Sequence, residues 1–232
     1  MKCTAIVLAA GQGKRMKSKV QKQFLDIQGY PVLYYSIKCF QECEWIDDII
    51  LVTGADEVEY CRREIVKKYN FNKVSSVTVG GKERYHSVWN GLKVCSNTDY
   101  VFIHDDARPF LTSTILERAL QCVKENEACA AGVPSKDTVK IVDENNEVQS
   151  TPDRRYVWNV QTPQVFRYQL VFDAYARALE GECIGITDDA MVVEKYGKHK
   201  VTLYEGAYEN IKITTPEDLG VAQVFAYDIW AE

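Results

Sequence analysis

Short apolar runs alternate with amphipathic segments through the first half of the chain, and this pattern predicts its elements. The apolar runs predict strands over Thr4–Ala10, Asp48–Thr53, Val74–Val79, Tyr100–His104 and Ala128–Val133. Apolar residues at helical spacing predict helices over Val32–Gln41, Glu57–Tyr69, His86–Cys95 and Thr114–Asn126. Such alternation predicts an α/β fold with a doubly wound, mostly parallel sheet and right-handed crossovers.

The alternation then gives way to a segment that predicts a β-hairpin. Val139–Val142 and Glu147–Ser150 flank the turn-forming residues Asp143–Asn146. A lone hairpin is marginally stable, so its apolar face needs a partner surface, and a second subunit is one candidate. We therefore predict a single domain over residues 1–232, with residues 136–156 inserted as a protruding β-hairpin arm that mediates dimerisation.

Helical spacing and apolar runs return beyond the hairpin. They predict helices over Tyr168–Glu180 and Asp188–Tyr196, strands over Val201–Tyr204 and Ile211–Thr214, and a last helix that begins at Thr215–Asp218. The sequence contains no internal repeat, low-complexity tract or flexible linker, which favours one folding unit.

Composition and charge exclude several classes of protein. The formal net charge of -5 argues against a general nucleic-acid-binding protein, which presents a basic surface. No stretch reaches the roughly 20 apolar residues that a membrane span requires. The 8 cysteines include no Cys-x-x-Cys pair, so we expect reduced thiols in a cytoplasmic protein.

Polar residues gather where the predicted strands end, and ligands bind at that edge of an open α/β sheet. Gly11–Gln23 follows the first strand and combines glycines with a run of lysines and an arginine. It matches neither a Walker A loop nor a dinucleotide-binding turn. A solvated basic loop is the simple alternative, but the position at the mouth of the sheet favours anion binding.

Gly80–Ser87 repeats this arrangement after the third strand. Its backbone groups can recognise the edge of a base, and Arg84 can contact phosphate. A plain loop that caps a helix explains the same pattern equally well.

His104–Pro109 contains two consecutive carboxylates, Asp105 and Asp106. Adjacent carboxylates repel each other, so they are typical of a site where Mg²⁺ bridges nucleotide phosphates. Arg108 offers a forked donor for phosphate or carboxylate. We expect a structural role for His104, because no nucleophile–base arrangement surrounds it.

The last third of the chain carries further polar segments. These are Asp153–Trp158, Gln161–Gln164, Thr187–Ala190 and Asn210–Thr214. Lys212 interrupts a short apolar stretch, so its side chain either extends to water or points at an anion. The pattern favours neither reading.

Taken in order, these segments resemble the 2-C-methyl-D-erythritol 4-phosphate cytidylyltransferase family from Ala5 to about Ala222. The motifs that carry the resemblance are Leu8-Ala9-Ala10-Gly11-x-Gly13-x-Arg15-Met16, Lys22-Gln23, Gly80-Gly81-x-x-Arg84-x-x-Ser87-Val88, His104-Asp105-x-Ala107-Arg108-Pro109, Asp137-Thr138-Val139-Lys140, Gln161-Thr162-Pro163-Gln164-x-Phe166, Thr187-Asp188-Asp189-Ala190 and Asn210-Ile211-Lys212. Each motif is weak alone, whereas the ordered set is specific.

The resemblance implies a Rossmann-like nucleotidyltransferase that uses Mg²⁺ to transfer CMP from CTP to 2-C-methyl-D-erythritol 4-phosphate, with release of pyrophosphate. It also implies a homodimer whose hairpin arms clasp each other. Attack of a phosphate on the α-phosphorus of CTP brings two anions together, which requires positioned positive charge rather than a covalent nucleophile.

The resemblance also assigns roles to single residues. Arg15 and Lys22 match residues that stabilise charge on the triphosphate. Arg154 and Lys212 match residues that hold the acceptor phosphate, and Asp105 matches the aspartate linked to the metal. The CTP-binding residues that it implies are Ala9, Ala10, Gly11, Gly13, Arg15, Lys22, Gly81, Lys82, Arg84, Ser87, Asp105, Ala107 and Arg108. The acceptor-binding residues that it implies are Thr138, Arg154, Thr162, Thr187 and Lys212.

Two positions depart from the family pattern. Gln21 stands where proline is usual, and Asp106 stands where alanine is usual. Neither departure removes a catalytic group, but Asp106 adds charge beside the expected metal ligand.

Three other functions remain open from the sequence. A ribitol 5-phosphate cytidylyltransferase shares the loop, the aspartate segment and the Gln161–Gln164 stretch, although Trp158 and Thr187–Ala190 favour methylerythritol phosphate. A non-catalytic nucleotide-binding module would retain the fold without the cations. An NAD-dependent dehydrogenase has a different glycine pattern.

Overall fold

The apolar run near the start of the chain forms the centre of a sheet. The computed structural model describes residues 1–11, 13, 16, 20–181, 183 and 185–230. Its strands are β1 (Cys3–Ala9), β2 (Asp26–Ile27), β3 (Tyr30–Pro31), β4 (Asp48–Thr53), β5 (Val74–Val79), β6 (Tyr100–Asp105), β7 (Ala128–Pro134), β8 (Ile141–Val142), β9 (Val148–Ser150), β10 (Trp158–Arg167) and β11 (Thr202–Glu205).

The helices lie between these strands along the chain. They are α1 (Val32–Glu42), α2 (Val58–Tyr60, continued as a π-helical segment over Cys61–Lys67), α3 (Arg84–Val94), α4 (Ser113–Asn126), α5 (Tyr168–Leu179), α6 (Asp189–Val192, continued over Val193–Gly197) and α7 (Pro216–Trp230). In the part of the chain that the structure describes, no helix is long and apolar enough to cross a membrane.

The predicted mostly parallel sheet is confirmed. In the described residues a seven-stranded sheet has the order β11-β7-β10-β6-β1-β4-β5. All its neighbouring strands run parallel except β10, which is antiparallel to both β6 and β7. Residues of β1 alternate between two apolar cores, because successive side chains of a strand point to opposite faces. One core contains α1 and α4, and the other contains α3 and α5, so helices cover both faces.

Sequence patterns did not predict β10, although it is the longest strand in the described residues. It lacks apolar alternation because Gln161, Thr162 and Gln164 are buried within it, each with a hydrogen-bonded side chain. Pro163 is accommodated because the pairing with β7 shifts register between Val160 and Gln164, and proline is tolerated at such irregularities.

The predicted strand over Ile211–Thr214 is wrong. This segment is extended but joins no sheet. Ile213 is fully buried, and its N–H donates to the carbonyl of Ala107 at 2.8 Å. The apolar residues of this segment therefore reflect packing in a cluster with Phe110 and the α7 residues Ala222 and Ala226 rather than strand pairing.

Two short strands occupy the region of the predicted hairpin. β8 and β9 pair antiparallel, and they form no ladder with the central sheet in the described residues. Their apolar side chains are exposed, with Ile141 at 50%, Val142 at 46% and Val148 at 57%. Dimerisation through this arm stays a prediction.

Helix α3 approaches the sheet closely because of a glycine. A Cβ atom on Gly91 would lie 2.8 Å from Cγ2 of Ile6 and 3.2 Å from Cγ2 of Val52. Because Gly91 has no Cβ, α3 can pack close to β1 and β4. This packing places Arg84, the first residue of the helix, at the carboxyl edge of the sheet.

We predict that Gly91→Ala lowers the free energy of unfolding by about 1–2 kcal/mol, because the overpacking cost exceeds the gain of roughly 1 kcal/mol in helix propensity. Gly220→Ala in α7 is the matched control, since a Cβ there meets nothing within 4 Å. It should raise stability by up to about 1 kcal/mol. Denaturant unfolding measures both values, and equal stabilisation by both substitutions would contradict the packing argument.

Candidate active site

A cleft of about 630 Å³ opens at the carboxyl edge of the sheet, where the two predicted anion loops meet the end of β6. The predicted CTP-binding residues that line it are Ala10, Gly11, Gly13, Lys22, Gly81, Lys82, Arg84, Ser87 and Asp105. Ala9 and Ala107 are fully buried beside the cleft. Arg15, also predicted to bind CTP, lies outside the described residues.

The side chain of Lys22 packs against two glycines in this cleft. A Cβ on Gly11 would lie 3.6 Å from Cε and 3.9 Å from Nζ of Lys22. Gly13 has a φ of +58°, which side chains rarely adopt, and its Cβ would lie 3.3 Å from Cγ of Lys22. Gly13 thus allows the close approach of the backbone to the lysine stem, whereas a side chain at Gly11 would meet Lys22 only at ordinary contact distance.

The lysine loop is anchored by a buried amide that sequence analysis treated only as part of a motif. Gln23 is fully buried, and its Nε2 donates to the carbonyl of Ala9 at 3.0 Å and to Glu57 Oε2 at 3.3 Å. The same Glu57 oxygen accepts from Thr53 Oγ1 at 3.0 Å. Gln23 and Glu57 therefore fasten the residue beside Lys22 to the ends of β1 and β4.

A chain of alternating charges forms the wall of the cleft. Arg84 donates through both terminal nitrogens to Asp189, at 2.8 Å each, and through Nε to Asp105 Oδ1 at 3.1 Å. Lys212 Nζ donates to Asp105 Oδ2 at 2.7 Å. Of the two possibilities for Lys212, extension to water or contact with an anion, the structure shows the second, and the anion is the carboxylate of Asp105.

Asp189 supports this chain from behind. Its side chain has no exposed surface and also accepts a hydrogen bond from the hydroxyl of Tyr175. Thr187–Ala190 was singled out in the sequence without a reason for its second aspartate. The second aspartate, Asp189, is the buried carboxylate that accepts from both terminal nitrogens of Arg84.

The cations around Asp105 keep its carboxylate ionised. Burial by itself raises the pKa of Asp105, but Arg84, Lys212 and Arg108 outweigh burial and hold that pKa well below its usual range. The carboxylate therefore remains a charged ligand and hydrogen-bond acceptor at any physiological pH.

The neighbouring Asp106 lies in a different environment. It is 2% exposed, and its Oδ2 has no hydrogen-bond partner among the described residues. Burial raises the pKa of Asp106 to about 6, against the opposing effect of Lys22. Adjacent carboxylates in the sequence thus differ in kind, because one is paired twice and the other has an unpaired oxygen.

A second cleft of about 260 Å³ lies on the other side of the same wall. Thr162, Thr187 and Lys212, all predicted to bind the acceptor, line it. Arg108, which was predicted to bind CTP, also lines this smaller cleft and not the larger one. Arg84, Asp105 and Lys212 line both clefts. Two anionic ligands bound in the two clefts would therefore face each other across a carboxylate flanked by cations.

Two predicted acceptor-binding residues lie elsewhere. In the described part of the chain, Thr138 and Arg154 line neither cleft. Arg154 donates from one terminal nitrogen to the carbonyl of Lys136 at 3.0 Å and is exposed at the base of the arm. Among the described residues, Arg154 shares neither a cleft nor a hydrogen bond with Lys212.

The donor chemistry at the wall fits a magnesium ion bound together with a nucleotide. No group of three or more His, Cys, Asp and Glu side chains forms a metal cage in residues 1–11, 13, 16, 20–181, 183 and 185–230. Mg²⁺ needs only one or two carboxylates where phosphate oxygens and water complete its shell. Asp105 is an ionised carboxylate in the first cleft and meets that requirement.

Comparison with known proteins agrees with this geometry. The family model described as 2-C-methyl-D-erythritol 4-phosphate cytidylyltransferase matches residues 3–227. The chain belongs to this cytidylyltransferase family. Proteins of that name from Lachnospira eligens and Caldanaerobacter subterraneus are 48% and 49% identical, over 96% and 97% of this chain and 98% and 99% of theirs.

The fold of the cytidylyltransferase family is also shared. The crystal structure of 4-diphosphocytidyl-2C-methyl-D-erythritol synthase from Anaerococcus prevotii superposes with a TM-score of 0.85 at 34% identity. The match covers 97% of this chain and 95% of that protein. The similarity thus extends across the sheet and both clefts rather than over the nucleotide loops alone.

The two aspartates give opposite predictions in this cytidylyltransferase. Asp105→Asn should lower kcat/KM by about 100-fold or more and raise the Mg²⁺ concentration needed for half-maximal rate, because it removes charge beside Arg84 and Lys212. Asp106→Ala should change kcat/KM by less than about fivefold and raise the melting temperature, because it removes a buried oxygen that lacks a partner.

Steady-state rates across a Mg²⁺ titration, with thermal unfolding of each variant, measure these effects. A greater loss of activity in Asp106→Ala than in Asp105→Asn would show that the metal-linked carboxylate had been misassigned.

Proposed function

We propose that the protein transfers CMP from CTP to 2-C-methyl-D-erythritol 4-phosphate, giving 4-diphosphocytidyl-2-C-methyl-D-erythritol and pyrophosphate. The observation that carries this proposal is the shared wall of Arg84, Asp105 and Lys212 between two polar clefts. Membership of the cytidylyltransferase family supplies the identity of the two substrates.

The reaction joins two phosphates directly. A phosphate oxygen of the acceptor forms a new bond to the α-phosphorus of CTP, while the bond from that phosphorus to the bridging oxygen of pyrophosphate breaks. The main barrier is the approach of one anion to another, so fixed positive charge lowers it most. Loss of one such preorganised charge typically costs roughly 3–4 kcal/mol of transition-state stabilisation.

The position of each cation relative to the two clefts determines which phosphate it can stabilise. Lys22 extends into the larger cleft and faces the triphosphate, where the resemblance also assigns Arg15. Lys212 borders both clefts, so its ammonium group can contact the attacking phosphate and the α-phosphate together. Arg108 lines the smaller cleft and adds a forked donor for the acceptor phosphate.

A divalent metal ion completes the proposal. Mg²⁺, held by Asp105 and the triphosphate, would neutralise charge on the phosphates and help orient the α-phosphorus. Arg84 and Lys212 already contact the two carboxylate oxygens of Asp105, so a metal ion would share those oxygens with the two cations.

A direct substrate comparison tests the proposed function. The purified protein, CTP and Mg²⁺ should release pyrophosphate with 2-C-methyl-D-erythritol 4-phosphate at a kcat/KM about 10–100-fold above that with ribitol 5-phosphate, since the cleft is built around one acceptor. Mass spectrometry identifies the CDP-linked product. A preference for ribitol 5-phosphate would show that ribitol 5-phosphate, not the methylerythritol compound, is the acceptor. Tight CTP binding without turnover would indicate a non-catalytic module.

We also propose a homodimer in which the arm of one subunit completes the acceptor cleft of the other. Thr138 and Arg154, both assigned to the acceptor by resemblance, lie outside the clefts of their own subunit in the described residues. The arm exposes apolar side chains, among them Ile141 and Val148, that a second copy would cover. An interface formed by the same arm on both subunits is self-complementary.

Subunit complementation tests this arrangement. Co-expression of Lys22→Ala and Arg154→Ala subunits, separately tagged, should restore about a quarter of wild-type activity, because half of randomly mixed dimers retain one intact site. Lys22→Ala mixed with Lys212→Ala is the control and should stay inactive, since both lysines line one cleft. Mixed dimers of the first pair can be isolated through both tags. If these dimers are inactive, Arg154 acts in the site of its own subunit.

The cysteines support a cytoplasmic location. All eight are free thiols, including the fully buried Cys3, Cys61 and Cys129. A reducing compartment keeps thiols in that state. We therefore propose that the enzyme acts in the cytoplasm.

A further inference from the structure

We propose that His104 and Thr162 are positioning residues that hold Asp105 in place through a directional chain of hydrogen bonds. This inference rests on the proposed function for its consequence, whereas the chain itself is a property of the fold. It gives Thr162, which also lines the smaller cleft, a task that does not depend on contact with the acceptor.

Three contacts form the chain. The backbone N–H of Asp105 donates to Thr162 Oγ1 at 3.1 Å. Thr162 Oγ1 lies 3.0 Å from Nδ1 of His104, and Nε2 of the same ring lies 3.1 Å from the carbonyl oxygen of Arg108. His104 is fully buried and Thr162 is 4% exposed, so water does not compete for these groups.

The chemistry of the end groups fixes the direction of every bond. A carbonyl oxygen only accepts, so Nε2 of His104 carries the proton that it donates to Arg108. A second proton on Nδ1 would leave a buried cation, and the ring has no carboxylate hydrogen-bond partner in the described residues. Nδ1 is therefore bare and accepts from the Thr162 hydroxyl, which in turn accepts from Asp105.

The contact between Thr162 and Asp105 lies just beyond the last paired residues of β6 and β10. Ile103 of β6 pairs with Gln164 of β10, and the same antiparallel register continued by two residues sets Thr162 opposite Asp105. The carbonyl of Thr162 instead accepts from Asn210 Nδ2 at 2.9 Å. The side-chain hydroxyl consequently takes the place of a backbone acceptor at the last residue of β6.

The chain fixes the turn that carries the catalytic wall. Asp105 is held at its N–H by Thr162, and its carbonyl accepts from the N–H of Arg108 at 3.1 Å. His104 closes the turn from the side through the Arg108 carbonyl. The fixed turn holds the Asp105 carboxylate in the position where Arg84 and Lys212 donate hydrogen bonds to it. A displacement of about 1 Å at such a site typically costs on the order of 100-fold in rate.

Thr162→Val and Thr162→Ser form the matched pair that tests the inference. Valine keeps the shape but removes the hydroxyl, which leaves the Asp105 N–H and His104 Nδ1 buried without partners. We expect kcat to fall by roughly 10–100-fold in Thr162→Val, with the KM of each substrate changed by less than about threefold. Thr162→Ser retains the hydroxyl and should restore kcat to within about threefold of wild type.

A double-mutant cycle with His104→Phe tests whether the two residues act as one unit. Phe keeps an aromatic ring against Phe40, whose ring centroid lies 5.6 Å from that of His104. The double variant should lose no more kcat than the worse single variant, because either substitution breaks the same chain. Additive losses would overturn the coupling, and a rise in acceptor KM alone in Thr162→Val would mean that Thr162 contacts the acceptor directly.

One measurement is independent of catalysis and reads the tautomer in the wild-type protein. Nitrogen-15 spectra of the wild-type histidine rings distinguish a protonated from a bare ring nitrogen, and His104→Phe identifies the signal by its loss. We expect His104 as the neutral tautomer with its proton on Nε2. A proton on Nδ1 would overturn the chain even if the cytidylyl transfer is confirmed, and the expected tautomer would stand even if that reaction is not.

Discussion

The burial of Asp189 beneath the cleft is the constraint on which the rest of the site depends. A buried carboxylate is tolerable only when charged and polar partners satisfy it, and here Arg84 and Tyr175 do so. Breaking one such buried pair typically costs about 3–5 kcal/mol. Because two of its nitrogens are held from behind, Arg84 has one orientation, and its remaining Nε fixes Asp105. The orientation of the Asp105 carboxylate thus depends in part on Asp189, a residue with no exposed side-chain surface.

The order of strands explains why this wall divides two clefts. β6 lies between β1, which carries the lysine loop, and the antiparallel β10, which carries Thr162. Asp105 ends β6, so it stands at the border of two differently built surfaces. The surface on the β1 side is made of glycine-rich loops that suit a triphosphate. The surface on the β10 side combines amide and hydroxyl side chains of that strand with charged residues, among them Arg108 and Asp188.

Much of the fold could be predicted from the sequence, because parallel strands buried on both faces appear as continuous apolar runs. The strand β10 could not, since its buried polar residues are satisfied by partners far along the chain, such as Asn210 and Asp188. The same limit applies to the site. Motifs located Arg84 and Lys212, yet only the structure shows that Asp105 joins them. The position of Arg154 outside both clefts, among the described residues, could not be predicted either, because the order of motifs along a chain does not give the distances between them.

Lys212 shows how such pairing serves catalysis. A lysine free in a cleft would sample many rotamers, and ordering its side chain costs up to about 2 kcal/mol. The contact of Lys212 with Asp105 at 2.7 Å removes that freedom before any substrate arrives. The position of Lys212 therefore does not have to be organised by the reacting phosphates. A group that is charged and fixed in advance stabilises the transition state without reorganisation during the reaction.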